Sequence, residues 1–116
     1  MNVEGFRELC LAQPFATEDM PFDDSVVAFR LKNKIFAAII LDRPNIVVMK
    51  CEAERAEQLR AEYPAIAGAY HWNKKYWNQI ELDGSVPDEL IGELCRHAWS
   101  EVNKKLPKRE RIELEE

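Results

Sequence analysis

Four glycines are spread through the 116 residues, and none stands in a G-x-G pattern. A glycine-rich loop cradling phosphates is therefore excluded. There is no G-x-S-x-G nucleophile elbow and no C-x-x-C. The three cysteines, Cys10, Cys51 and Cys95, are odd in number and scattered. They read as reduced thiols, with Cys10 and Cys95 on apolar helix faces where cysteine acts as a small hydrophobe. Histidine is scarce too: Cys95 and His97 point to different sides of one helix, and His71 lies in another segment, so neither a metal site nor a cofactor is expected. The carboxylates are dispersed, and Asp23-Asp24 and Asp88-Glu89 look like turn or cap chemistry. With no catalytic constellation, enzymatic activity is not expected. The longest apolar run, "IFAAIILD", is too short to cross a bilayer, so no membrane partner is expected. The start, "MNVEGFREL", lacks the basic and apolar regions of a secretory signal, which makes the cytoplasm the expected compartment. Net charge is -5, against broad electrostatic binding of nucleic acid, although a local basic patch remains compatible with it.

What is present is enough apolar sequence, 47% of residues, for one core in a single domain over residues 1–116. In "NVEGFRELCLAQP", Val3, Phe6, Leu9 and Cys10 recur at helical spacing, with Asn2 as cap and Pro14 as stop. "FATEDMPFDDS" is acidic and turn-rich, and Met20 and Phe22 are candidate anchors of a short edge strand. "VVAFRLK", "KIFAAIILD" and "NIVVMK" read as an antiparallel meander, its first turn at Asn33. "CEAERAEQLRAEYP" is a second helix with a narrow stripe of Ala53, Ala56, Leu59 and Tyr63, and its run of glutamates is a solvated face. "AIAGAY" links to "KYWNQIELDG", a strand with Ile80 and Leu82 inward and Trp77 on the open face. Asp83-Gly84 makes a turn, and Ser85 and Asp88 have the spacing of a capping box around Pro87. "DELIGELCRHAWSEVNKKL" is a third helix, with an apolar stripe of Ile91, Leu94, Cys95, Ala98, Trp99 and Val102. The end, about 107–116, reads as a frayed tail. The order α-β-β-β(-β)-α-β(-β)-α predicts an α+β domain: a single antiparallel sheet of about five strands with the helices mainly on one face.

The unusual stretch is "YHWNKKYW". In a structural reading Trp72 and Tyr76 fill the sheet edge, Asn73 closes a turn on its own backbone, and Lys74 and Lys75 are solvated charges. In a functional reading Lys74 and Lys75 meet phosphates while Tyr76 or Trp77 stacks on a base. His71 and Asn73, with Lys34 from the meander, complete the candidate nucleic-acid site. A second basic patch, "KKLPKRER", would add to a local positive surface if the fold brought it alongside. Two further possibilities stay open: a protein- or peptide-binding module using an exposed sheet face or edge, and a small-molecule or enzyme site around His71, Asn73 and Trp77.

"HWNKKYW" followed by "IELDGSVPDELI" resembles the signature of the MmcQ/YjbR family of small bacterial proteins, matched by His71, Asn73, Lys74, Trp77, Leu82, Asp83, Gly84, Pro87, Asp88 and the later "LPK". "NKIFA" and "VVMKCEAERAEQLR" are similar to the family's hairpin and strand-to-helix step. This chain departs from the pattern at Asn33, Cys51, Tyr76 and Ala98-Trp99. The resemblance implies a secretion-chaperone-like α+β fold and a proposed double-wing role in DNA binding, with two β-hairpins flanking a helix and no reaction attached. The expected partners are therefore DNA or a protein, and the expected state is a monomer or weak homodimer.

Overall fold

The computed structural model describes residues 1–113. The elements run α1 (Val3–Leu11), β1 (Thr17–Asp19), β2 (Val26–Leu31), β3 (Lys34–Ile40), β4 (Ile46–Lys50), α2 (Ala53–Glu62), β5 (Ile66–Gly68), β6 (Trp77–Glu81) and α3 (Asp88–Asn103), with a short 3-10 turn at Lys108–Glu110. The strands form one six-stranded sheet in the order β1-β2-β3-β4-β6-β5, with every neighbour antiparallel. The α+β class and the element order are those expected. The extra strand is β5, inside the "AIAGAY" segment that reads as a linker.

One face of the sheet is the core. The long apolar stripe of α3 packs on β3 and β4, α1 wedges against α3 and β3, and α2 covers β5 and β6. Phe6, Phe29, Phe36, Val47, Ile80, Ile91 and Trp99 are closed off from solvent there. Asn2 caps α1 as anticipated, its Oδ1 accepting from the Gly5 N–H at 2.8 Å. Leu9, however, is only half-buried.

The β2–β3 hairpin turns through Lys32 and Asn33, both at positive φ (50° and 70°). A two-residue turn with both residues left-handed matches the twist of the flanking strands. Just beyond it the register slips: Phe29 faces Ala37 but Arg30 faces Ile35, leaving Phe36 without an opposite residue. This β-bulge lets both Phe36 and Ala37 join the core, while Ile35 turns to the other face beside Arg30.

Three local expectations need correction. The edge strand is Thr17–Asp19, and Met20 and Phe22 are exposed rather than anchored, because the chain turns away from the sheet after Asp19. Ser85 and Asp88 form no capping box. Pro87 stands at the N-cap without a side-chain bond, since the Asp83 carboxylate has taken both the N–H (2.9 Å) and the hydroxyl (2.6 Å) of Ser85, and Asp88 instead meets the N-terminal ammonium at 2.9 Å. The described part of the expected frayed tail is held. The Asn103 amide both donates to and accepts from the Ile112 backbone (2.9 and 2.8 Å), and Arg111 donates to the Leu106 carbonyl. Residues 114–116 lie outside the described residues.

The Asp83 turn sets the entry of α3, and Gly84 occupies it at φ 89°. A Cβ there would meet no atom within 4 Å, so the only penalty for a larger residue is conformational. Gly84→Val is expected to destabilise the domain by about 1 kcal/mol or more in chemical denaturation, because a β-branched residue resists the left-handed region.

A second tie joins α2 to α3. Glu52 caps α2 with its own carboxylate, which accepts from the Glu54 and Arg55 N–H groups, and its backbone N–H donates to Nε2 of His97 at 3.1 Å. Burial holds the His97 pKa below the usual imidazole value, with the Arg55 and Lys104 charges adding to the shift and Glu101 opposing it. A depressed folded-state pKa means that the tie stabilises the fold above the unfolded-state value and is lost as pH falls towards the folded one. Stability should therefore decline as pH drops below about 6.5, the ordinary histidine value. His97→Gln should flatten that decline between pH 7.5 and 5.5 in thermal melts.

Candidate functional site

Among the described residues, no helix covers the other face of the sheet. Antiparallel pairing puts Val26, Ala38, Ile40 and Val48 side by side on it, with Lys50 opposite Trp77 and Val48 opposite Gln79. The β5–β6 connection folds back over this surface. Trp72 from that connection packs against the buried cluster of Ala38, Val48 and Ala69 and lies against Trp77, ring centroids 4.6 Å apart and planes at 45°.

The connection is held in place from below. Asn78 is buried on the core side, where its Nδ2 donates to the Ala56 carbonyl and its Oδ1 accepts from Nη1 of Arg60 at 2.8 Å. The same Arg60 nitrogen donates to the Lys74 carbonyl at 3.0 Å, so α2, β6 and the connection meet at one guanidinium. Asn73 closes its turn as one reading had it, Oδ1 accepting from the Lys75 N–H at 3.1 Å. His71 sits at φ 70°, a sparsely populated region for a residue without glycine's freedom, and its ring lies 4.0 Å from that of Tyr70.

Trp72 divides the open face into two clefts. The first, about 530 Å³, is lined by Arg30, Lys34, Lys50 and Lys105 together with Trp72 and Trp77. It opens between the tip of the β2–β3 hairpin, the β5–β6 connection and the chain leaving α3. Lys50 lies over the Trp77 ring at 5.4 Å, while Lys105 (5.1 Å) and Lys75 (5.5 Å) both lie over Tyr76. Arg30 is compensated by Asp19 at 2.8 Å. Lys34, Lys50 and Lys105 have no carboxylate within ion-pair distance among the described residues. Burial lowers the Lys50 pKa, with the charges of Lys105 and Lys34 acting in the same sense and Glu101 opposing them. The cleft therefore concentrates positive charge inside a protein of net charge -5. The second cleft, about 420 Å³, lies on the other side of Trp72 and is lined by Phe22, Val26, Ile40, Val48, Tyr70 and His71, among others.

The candidate residues thus separate. Lys34 and Trp77 line the cationic cleft, and Lys75 and Tyr76 stand beside it. Lys74 does not join them: its stem runs along Gly68, where an added Cβ would come within 3.0 Å of Lys74 Cγ, and its ammonium lies 5.9 Å from the Tyr70 ring. His71 belongs to the second cleft, and the Asn73 carbonyl oxygen is occupied by its turn. Arg30 and Lys50 are cleft residues that sequence reasoning did not single out, and Trp72, read there only as filling the sheet edge, lines the cleft as well. Lys50 had one available signal, the alternation that ends "IVVMK" on the face opposite the core. Lys105 belongs to the second basic patch, which the fold does bring alongside.

This is an α+β domain built as one antiparallel sheet, with helices on one face and a loop-covered, indole-divided surface on the other. The chain belongs to the YjbR family, whose model matches residues 11–101. It is 28% identical over 113 residues to "Uncharacterized protein YjbR" of Escherichia coli (strain K12), covering 96% of this chain and 95% of that one. The crystal structure of Deinococcus radiodurans protein DR2400 superposes with a TM-score of 0.88 at 38% identity, covering 94% of this chain and 84% of the other. A Pseudomonas syringae protein of known crystal structure shares the fold at TM-score 0.71 and 24% identity, over 84% of this chain and 96% of its own.

The buried Asn78 amide links three elements beneath the clefts. Asn78→Leu should cost about 1–3 kcal/mol in denaturation, since it leaves a buried carbonyl and the guanidinium short of partners. Hydrogen exchange at the Trp72 and Tyr76 amides should quicken with it, and unchanged exchange there would show that Arg60 and Asn78 do not position the connection.

Proposed function

We propose that this protein binds single-stranded nucleic acid in the cationic cleft, without turnover. The observation that carries this reading is the convergence of Lys34, Lys50 and Lys105, from three separate elements, on a cleft walled by two indoles. Backbone phosphates need uncompensated cations, and unpaired bases need flat apolar rings. A cleft between two hairpin loops and a helix end also fits the two-wing arrangement that the family resemblance implies. Strand addition at a sheet edge is less well supported, because β1 and β5 are three residues each and offer little backbone to pair with. Burial of the three cysteines and the hydrogen bond from the Glu52 N–H to His97 support binding without turnover.

Binding of a short oligonucleotide, followed by fluorescence anisotropy across a salt series, tests the proposal. Lys50→Ala and Lys105→Ala should each weaken binding and lower the magnitude of the salt slope by about 0.7. Lys74→Ala, away from the cleft, should leave both nearly unchanged. Circular dichroism establishes that the variants are folded. A folded Lys50→Ala, Lys105→Ala double variant with wild-type affinity would refute the reading.

A further inference from the structure

The second cleft adjoins the first across a single side chain, yet its chemistry differs. Its sheet side is Val26, Ile40 and Val48, and its outer walls are the exposed rings of Phe22 and Tyr70 together with Trp72. Gln79 also lines it; its Oε1 accepts from the Tyr70 N–H at 3.2 Å, and its NH₂ remains as a donor. Asp42 and Arg43 stand at the rim, and Asp23 and Asp24 lie close by around Leu41. Carboxylates at the mouth repel phosphate. A flat, neutral, hydrogen-bonding group suits three aromatic rings, one amide donor and one carboxylate acceptor.

The spacing favours a single ligand that spans both clefts. Val48 and Lys50 are two residues apart on β4, as are Gln79 and Trp77 on β6, so these lining residues of the two clefts lie about 7 Å apart along the strands. Phosphate attraction on one side of Trp72 and a neutral ring site on the other match the two ends of one nucleotide unit. We infer that the Phe22–Tyr70 cleft is a nucleobase pocket that takes one unstacked base of the strand whose phosphates lie on Lys34, Lys50 and Lys105. This rests on the proposed function and assigns a second subsite to it.

Phe22 and Tyr70 are 66% and 62% exposed, so truncating them should leave the fold intact. Three probes separate the subsites: a normal oligonucleotide, the same oligonucleotide with every base replaced by an abasic residue, and inorganic polyphosphate. The Phe22→Ala, Tyr70→Ala double variant should bind the normal strand about tenfold more weakly, the size of effect that loss of one base stack produces. It should bind the abasic strand and polyphosphate as the wild type does. The Lys50→Ala, Lys105→Ala variant should lose affinity for all three. An unaffected double aromatic variant would overturn the pocket while leaving the cationic cleft standing, whereas equal affinity of the wild type for normal and abasic strands would overturn both the pocket and base stacking on the Trp72 and Trp77 indoles. No binding of any probe at low salt would overturn both.

Discussion

Trp72 packed against the Ala38, Val48 and Ala69 cluster is the contact on which the candidate surface depends. An antiparallel sheet with helices on one side leaves the other side to water or to a partner. Here the outer face is too apolar to be left open, and one indole from a loop covers its centre. The cover is incomplete by geometry: a single ring spans the middle of the face and leaves a hollow on each side. Both clefts exist because Trp72 is where it is. Trp72 in turn is placed by Arg60 and Asn78, which hold the connection from the core side.

Charge then gives the two hollows different characters. The protein carries an excess of acid, much of it on the solvent face of α2 and in the turn before β2. The cationic cleft is a local exception assembled from residues distant in sequence. Lys50 is the most informative of them: its ammonium is partly withdrawn from water, stacked over Trp77, and crowded by two other lysines. Desolvation and like charge both disfavour the charged form of Lys50, and an anion in the cleft would favour it, as the proposed function requires.

The three helices and the meander were legible because their apolar periods are long and regular. β5 was not: three residues with a glycine and one inward isoleucine give no measurable alternation. The capping box failed for a chemical reason, since Asp83 competes for Ser85 more locally than Asp88 does. The site was legible as a segment but not as a surface. Lys74 and Lys75 are adjacent in sequence, yet one lies towards Tyr70 and the other towards Tyr76. Alternation in "IVVMK" puts Lys50 on the outer face, but its place beside Trp77 comes from a pairing between distant strands that no local pattern encodes. The Phe36 bulge, which turns Ile35 outward, is equally silent in the sequence.

The central claim is that the open face, divided by Trp72, is where nucleic acid binds. Amide chemical shifts recorded while a short single-stranded oligonucleotide is titrated into the labelled protein test it most directly. Binding as described shifts Lys34, Lys50, Lys105 and the indole N–H signals of Trp72 and Trp77, with α2 and β1 unaffected. Shifts confined to α2 or to the β1 edge, with the indoles unmoved, would contradict it.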